Sequence, residues 1–320
     1  MQTIGTIIKE NGVLSERKKE WKDSPTVKAY TDFSKLDISD FNVIEKVSPT
    51  ERGGFEDSGY EEFFEGANET PLNIIRKFQN FNLTGEVDGD SVLEFGKNDS
   101  LLGSIKARMR KNSRLKISMG DYNLSFVTLW VECEASSDNQ LEFESNGSGI
   151  TYIRIKEVLK DNSKLSIINK HIKDPFLFLH GDCDLGENAS VDSKIYVYAD
   201  KGAHYDCVQN VLHSGFNSKS NVSGRGVVDG PSSLIFRGML KIHKEKCSGN
   251  FETKTINLSE GDAFTDSVPM LDIKATNVSA RHSSAIEDID KAELFYLASR
   301  GFSEKEASKL IIDSMLNIAD

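Results

Sequence analysis

Short runs of Val, Ile, Leu, Phe and Tyr alternate with polar corners from about residue 76 to residue 280. Hardly any segment there has the length and period of an amphipathic helix, whereas short apolar runs between turns are typical of strands. The corners recur as Asn-Ser or Asp-Ser pairs shortly before an apolar residue. Because Asn and Asp tolerate left-handed backbone, each unit predicts a turn followed by an inward-pointing side chain. Leu115, Leu165 and Ile235 follow three such corners and are predicted to be buried.

Stacked turn-and-strand units of this kind predict a β-solenoid. The spacing is too irregular for a left-handed hexapeptide helix. A right-handed parallel β-helix and a β-sandwich of similar strand content both remain, and the pattern favours the β-helix. The fold class is therefore mainly β.

The two ends of the chain differ from this body. Residues 1–75 are polar and broken by proline and glycine, with helical potential at Ser15–Trp21 and an aromatic stretch at Tyr60–Phe64. This predicts an N-terminal arm with little core of its own. Residues 76–285 are assigned to the β-helix core, and residues 286–320 to a small C-terminal α-helical domain.

The C-terminal domain has the capping pattern of two short helices. Asp290 can cap the first helix with Glu293 three positions on, and Gly301 supplies a left-handed stop. Ser303 and Glu306 form a second capping box. The apolar stripes of the two helices must be buried against the β-body or against a partner.

Composition limits the functional classes. The net charge of -11 and the pI of about 5.2 argue against a nucleic-acid partner, since phosphate neutralisation needs clustered Lys and Arg. The four cysteines contain no C-x-x-C pair, so neither a disulfide framework nor a zinc ribbon is predicted. No basic leader and no run of about 18 apolar residues occurs, so a cytoplasmic protein with no membrane partner is expected.

The chain lacks the motifs of common hydrolases. It contains no G-x-x-x-x-G-K-S/T, G-x-S-x-G or H-E-x-x-H sequence. The chain is therefore not expected to hydrolyse ATP or to be an enzyme.

One sequence, H-x-D-C, occurs twice, at His180 to Cys183 and at His204 to Cys207, with a spacing of 24 residues. That spacing could equal one turn of a β-helix, which would stack the two copies as nitrogen and sulfur ligands of a metal. Strand alternation opposes this, because positions i and i+3 point to opposite faces. A packing role for Cys183 and Cys207 is favoured.

The order of segments near the C-terminus resembles the SufB/SufD family, scaffold subunits of the SUF system for iron–sulfur cluster assembly. The resemblance is carried by Arg281-His282-Ser283-Ser284-Ala285 and Leu294-Phe295-Tyr296-Leu297-Ala298-Ser299-Arg300-Gly301-Phe302, preceded in order by Gly202-Ala203-His204, Val211–Gly215, Ser220–Val228 and Leu234–Ile242. The resemblance implies a right-handed parallel β-helix closed by a small helical domain. Residues 1 to about 100 show no clear match.

The resemblance also implies partners. In the family the helical domain engages SufC, an ABC-type ATPase. A SufC-type ATPase is therefore expected to bind this domain, at Leu294, Phe295, Tyr296, Leu297, Arg300 and Gly301. A SufB-type subunit or a second copy of this chain is the other expected partner, and the sequence leaves both open.

His282 is the main candidate for chemistry, because the matching histidine of SufD-type chains lies at the interface implicated in cluster formation. Its imidazole could ligate iron or relay a proton. The chain has no thiol beside His282, and Ala263 stands where SufB-type chains have a cysteine, so it is more similar to SufD. No tightly bound cofactor is expected, only a transient iron–sulfur cluster or iron, and the sequence leaves flavin open.

A β-helical carbohydrate-active enzyme or polysaccharide-binding protein is the alternative function. Such enzymes need two or more carboxylates that converge on an open groove. The acidic residues of this chain are scattered through the turns, with no paired cluster on one inferred face.

Overall fold

The computed structural model describes residues 31, 33, 46–59, 63–64, 70–172, 174–258 and 263–318. The helix predicted at Ser15–Trp21 lies outside the described residues, as do Tyr60, Glu61 and Glu62.

The described residues form long strands and three short helices. The strands are β1 (Glu56–Asp57), β2 (Phe81–Val87), β3 (Asp90–Phe95), β4 (Asn98–Met109), β5 (Arg114–Met119), β6 (Tyr122–Cys133), β7 (Asp138–Ser145), β8 (Ile150–Leu159), β9 (Lys164–His171), β10 (Phe176–Leu185), β11 (Ser190–Ala199), β12 (His204–His213), β13 (Lys219–Val228), β14 (Ser233–Ile242), β15 (Ser248–Asn257), β16 (Phe264–Ile273) and β17 (Ser279–Glu287). The helices are α1 (Thr70–Phe78), α2 (Lys291–Ser299) and α3 (Glu304–Met315).

The strands build two sheets of a parallel β-solenoid. The first sheet has the order β1-β2-β4-β6-β8-β10-β12-β14-β16, and the second has the order β17-β15-β13-β11-β9-β7-β5-β3. Each turn gives one strand to each sheet, over about seven turns. All strand pairs are parallel in the described residues except β1 with β2. The predicted parallel β-helix is confirmed and the antiparallel sandwich is excluded.

The predicted corners have a local physical cause. Asn112, Asn162, Asn188, Asn217 and Asn277 all adopt left-handed backbone, with φ between 54° and 59°. Three of these amides form a ladder: Asn188 donates to Asn162 at 3.2 Å and Asn217 donates to Asn188 at 2.7 Å. These two bonds link the corners of three successive turns.

The side chains predicted to follow the corners are buried: Leu115 and Ile235 are 0% exposed and Leu165 is 2% exposed. Most buried apolar residues fill the lumen between the two sheets. A second cluster lies on the outer face of the first sheet, where Phe33 of the arm contacts four aromatic rings edge to face. Such edge-to-face pairs add to the free energy of burial.

The C-terminal helices begin and end as their capping residues predict. The Asp290 side chain accepts a hydrogen bond from the Ala292 backbone at 2.7 Å, and Ser303 and Glu306 form a complete capping box. Gly301 has a φ of 97°, the left-handed conformation expected of a helix stop. Among the described helices, none combines the length and the apolar character needed to span a bilayer.

Candidate functional site

The solenoid has an open end at its last turn. Strands β16 and β17 are the last strands of the two sheets, so neither outer edge pairs with another described strand. The side chains of β17 are almost all exposed and those of β16 half-buried, whereas β14 and β15 have buried inward faces. Unpaired N–H and C=O groups on an exposed edge can pair with a strand of another chain.

His282 lies at this open end. The register pairs it with Phe251 of β15, whose side chain is buried in the lumen. His282 therefore continues an inward-facing row, at a turn where nothing in the described chain covers the lumen. Nearby, Ser267 of β16 reaches across to Thr253 of the other sheet, with 2.7 Å between the hydroxyl oxygens. The exposed imidazole of His282 therefore lies at the open end of the lumen.

The helical hairpin leaves apolar side chains in solvent. Phe295 is 77% exposed, Tyr296 57%, Phe302 42% and Leu310 40%; these four side chains are called the hairpin face. The guanidinium of Arg300 lies over the Tyr296 ring, 5.3 Å from its centroid. The predicted stripes are therefore only partly buried within the chain.

The hairpin lies along the outer face of the second sheet, from β17 at the open end back to β9. Leu316 is fully buried, and Lys170 of β9 donates to the Asn317 carbonyl at 3.4 Å. A cleft of about 830 Å³ separates the two helices from the second sheet, with Lys254 and Glu287 paired on the sheet side. Because Glu287 belongs to β17, the cleft connects the hairpin to the edge that carries His282.

The two H-x-D-C copies do not stack. The register pairs Phe176 with His204 and Leu179 with Cys207, so Cys183 and Cys207 are four positions out of register. The stacking that the 24-residue spacing would have allowed, and that strand alternation opposed, does not form, because one turn at this point is longer than the spacing of the two copies. Cys183 and Cys207 point into the lumen, whereas His180 points to the outer face. Strand alternation therefore separates His from Cys, as expected from their spacing of three residues.

The four residues have separate environments. Burial raises the thiol pKa of Cys183 and Cys207 well above the ordinary value, so both stay protonated. His180 lies 3.3 Å from Asp182, and His204 lies 2.7 Å from the Ser233 hydroxyl. No group of three or more His, Cys, Asp or Glu side chains that could hold a metal occurs in the described part of the chain.

A polar network surrounds His180 on the outer face. Asp182 accepts from Asn210 at 3.0 Å and from Arg154 at 3.4 Å. Burial would raise the Asp182 pKa, but the hydrogen bond and charge of His180, then Asn210 and Arg154, hold it well below the usual range. These contacts hold neighbouring turns together.

A second outer pair is more deeply buried. Asp206 is 0% exposed and receives two hydrogen bonds from Arg237, at 2.9 and 2.8 Å. The Thr31 hydroxyl of the arm donates to Asp206 at 3.0 Å and lies 3.1 Å from His204 Nε2. The pair therefore ties two turns and the arm together.

The sequence did not reveal a buried cluster at the corners where β7 leads into β8 and β9 leads into β10. The Ser145 hydroxyl lies 2.6 Å from His171 Nδ1 and 2.7 Å from Asp174. Asp174 also accepts from the Gly147 backbone at 3.0 Å and from Thr151 at 2.9 Å. The members come from three different strands and two loops, so no local motif could have revealed them.

The fold and the two accessible surfaces define a parallel β-solenoid with an open end and a partly uncovered helical hairpin. The family model described as "SUF system FeS cluster assembly, SufBD core domain" matches residues 121–315, more than half of the chain. The chain therefore belongs to the SufBD family of iron–sulfur cluster assembly proteins.

Individual relatives agree with this assignment. The chain is 26% identical over 160 residues to iron-sulfur cluster assembly protein SufB of Bacillus subtilis (strain 168), covering 49% of this chain and 34% of that protein. It is 24% identical over 155 residues to an iron-sulfur cluster assembly SufBD family protein of Staphylococcus epidermidis (strain ATCC 12228 / FDA PCI 1200), covering 48% and 33%. Identity to a SufBD family protein of Mycobacterium leprae (strain TN) is 28% over 142 residues, covering 44% and 16%. The match thus spans about a third or less of each relative, and the greater similarity to SufD stays a prediction.

Proposed function

We propose that this chain is a non-enzymatic scaffold subunit of a SufBCD-type complex, which couples motion of a SufC-type ATPase to cluster formation at a subunit interface. The observation that carries the proposal is the exposed edge of the SufBD core, with His282 in the row that faces the lumen. Iron and sulfide are the cargo of this site. His282 would ligate iron or relay a proton there, since a neutral imidazole can do both.

The exposed edge supports association through strand pairing. If two β17 strands pair antiparallel about Ser284, Arg281 lies opposite Glu287 and His282 lies opposite Ile286. Opposite charges directly across a strand pair are stabilising. This self-complementary edge favours a second copy of this chain, and a SufB-type subunit with the same charge pattern would also fit.

Strand β16 is a poorer pairing edge. The corresponding symmetric pairing about Pro269 brings Asp266 opposite Asp272, which places like charges together. Pro269 also lacks an N–H to donate to a partner strand. The partner is therefore held mainly through β17.

The hairpin face supports the second partner. Large apolar side chains that stay exposed on a short helix mark an interaction surface, and Tyr and Phe often dominate such interfaces. We assign the exposed side of α2 and the turn after it to the SufC-type ATPase, with Leu294, Phe295, Tyr296, Leu297, Arg300 and Gly301 at the contact. Only residues 288–290 separate β17 from α2, so a movement of the hairpin would reach the edge directly through the chain.

Affinity purification tests this proposal. The tagged chain is co-expressed with an untagged SufC-type ATPase, and the eluate is assayed for ATPase subunit and ATP hydrolysis. Retention of the ATPase by the wild type, with loss in a variant lacking residues 288–318, supports the proposal. A chain that retains no ATPase, with or without a SufB-type subunit present, contradicts it.

A further inference from the structure

Unpartnered polar atoms collect in the lumen of the middle turns. Those on inward-facing strand positions are both carboxyl oxygens of Glu157, both amide atoms of Asn169, His171 Nε2, the Ser193 hydroxyl and the Tyr205 hydroxyl. A buried polar group without a hydrogen bond is costly, so native proteins satisfy such groups with protein atoms or internal water. A set of this size in one lumen indicates bound water.

Glu157 is the carboxylic acid in this set, so its burial without hydrogen bonds is the most costly. It lies on β8 between Val131 of β6 and Cys183 of β10, at a position where neighbouring turns place apolar side chains or thiols. Its side chain is 0% exposed. In the described part of the chain its oxygens have no hydrogen bond of normal geometry; the Gln209 amide lies close enough to lower the pKa of the carboxyl group only as a weak donor.

The sequence makes room for a polar pocket beside Glu157. Gly181 has no side chain, and the Gln209 amide occupies the space above it: a Cβ at Gly181 would lie 2.3 Å from Gln209 Oε1. Gln209 is itself 2% exposed. An amide group, which can both donate and accept, is thus brought into the lumen near the carboxyl.

No Lys or Arg side chain of the described residues is buried in the lumen with Glu157. Burial, followed by the charge of Asp182, raises the Glu157 pKa to about 8, while Lys156 and Gln209 lower it. Lys156 and Asp182 lie on outward-facing positions of β8 and β10. Cys133 and Cys183 face the same lumen, and burial keeps both thiols protonated.

The facing sheet contributes only neutral groups. Asn169 of β9 and Ser193 of β11 occupy inward positions of the second sheet, on the same two turns as Glu157 and Cys183. Both side chains lack a partner in the described residues. They can bind water but cannot neutralise a carboxylate.

We propose that the lumen between β8 and β12 encloses a hydrated site in which Glu157 is a neutral carboxylic acid bound to internal water. Transfer of an isolated carboxylate into such a site would cost far more than taking up a proton, so the group stays neutral. The site therefore holds one exchangeable proton next to the thiols of Cys133 and Cys183. It lies several turns from His282 and does not depend on the proposed assembly function.

The pH dependence of unfolding tests whether Glu157 is protonated in the folded state. Glu157 has a folded pKa above its unfolded value, so the folded state holds the extra proton and loses stability as pH rises toward about 8. The Glu157→Gln variant keeps a neutral side chain of the same shape and should lack this contribution. Between about pH 5 and pH 8, the ratio of the wild-type unfolding constant to that of the variant should increase about tenfold for each pH unit.

Two comparisons make this test decisive. Glu144→Gln, which removes a half-buried outer carboxylate paired with Lys116, should keep the wild-type pH slope. If wild type and Glu157→Gln have the same slope, Glu157 is ionised in the fold and the proposal fails. If added K⁺, Na⁺ or Mg²⁺ stabilises the wild type but not Glu157→Gln, the lumen is a cation site and the proposal also fails.

Infrared spectra test the same claim directly. Wild type minus Glu157→Gln should show a protonated carboxyl band at about pH 6 that disappears at about pH 9. The subtraction removes the band of Asp174, whose pKa burial raises to about 6. A crystal structure should also contain ordered water within hydrogen-bonding distance of the Glu157 carboxyl group. A dry lumen, or the absence of that band, overturns the proposal.

Discussion

Whether a histidine side chain points outward or into the lumen determines its environment in this chain. His180 and His204 lie on the outer face, where hydrogen bonds to Asp182 and Ser233 give them structural roles. His171 and His213 point into the lumen and are buried. His282 shares the inward direction, yet it is exposed because the solenoid ends there.

The buried histidines predict acid sensitivity. Burial lowers the His171 pKa to about 3 and the His213 pKa to about 4. At these two positions the unfolded chain therefore binds more protons than the folded chain below about pH 6.5, so their contribution to stability falls as the pH is lowered. Each histidine should contribute a loss of about 1.4 kcal/mol per pH unit between about pH 6 and pH 4. Urea unfolding measures it as the difference between the wild type and the Gln variant, in which the opposite contribution of Glu157 cancels. The His213→Gln variant should lack the His213 contribution to the pH dependence of stability. An unchanged pH dependence in that variant would contradict a neutral, buried His213.

The Asp206–Arg237 pair predicts a large residue-scale effect. Arg237→Ala would leave the fully buried Asp206 carboxylate without its main cation, which should cost about 3–5 kcal/mol. Arg108→Ala is the matched control, because Arg108 pairs with Glu86 and Glu132 on the surface, where a pair contributes about 0–1 kcal/mol. Denaturant midpoints of the two variants should separate clearly. Equal midpoints would show that Asp206 is satisfied by other groups.

Elements with local causes were predictable from the sequence. The Asn corners follow from left-handed backbone at single residues, and the α2 and α3 boundaries follow from Asp290, Gly301 and the Ser303 capping box. The register was not predictable, because the length of each turn depends on how several residues pack at its corners. For that reason the spacing of 24 residues suggested a stacking of Cys183 on Cys207 that the sheet does not form. The Ser145, His171 and Asp174 cluster stayed hidden for the same reason.

At the scale of elements, the exposure of α2 makes a prediction about the ATPase partner. Phe295→Ala and Tyr296→Ala should weaken association with a SufC-type ATPase while leaving the free energy of unfolding nearly unchanged, since both rings are exposed. An interface anchor of this kind typically contributes about 2 kcal/mol or more. Binding is measured by calorimetry or by pull-down with the purified ATPase.

Leu316→Ala is the contrasting variant. Leu316 is 0% exposed, so its truncation should destabilise the fold by about 2–5 kcal/mol. If Phe295→Ala unfolds the hairpin while Leu316→Ala does not, the assignment of exposed and buried faces is wrong. If neither aromatic variant affects ATPase binding, the partner contacts another surface.

The whole molecule is asymmetric, with an arm and α1 packed against the first sheet and an unpaired strand edge at the last turn. A charge reversal tests pairing at that edge. Arg281→Glu places like charges opposite Glu287 twice in a symmetric pair, which should cost about 2 kcal/mol, or roughly thirtyfold in Kd. Sedimentation of the purified chain measures the dimer.

A compensating variant identifies the partner. Arg281→Glu combined with Glu287→Arg restores opposite charges if the partner is a second copy, so the dimer should return. With a SufB-type partner of unchanged sequence, the double variant should bind worse than either single variant. A wild-type chain that is monomeric and also fails to bind a SufB-type subunit would contradict strand pairing at β17.

In the proposed function, iron and sulfide are assembled at the open end, next to His282. The direct measurement is the iron and sulfide content of the complex co-expressed with its ATPase and any SufB-type subunit, purified without oxygen. His282→Ala should lower both contents while fold and ATPase binding persist. His243→Ala, at an exposed corner, and the Cys183→Ser/Cys207→Ser pair should leave them near the wild-type level. Wild-type content in His282→Ala, with loss in the cysteine double variant, would contradict the account and place the chemistry inside the lumen.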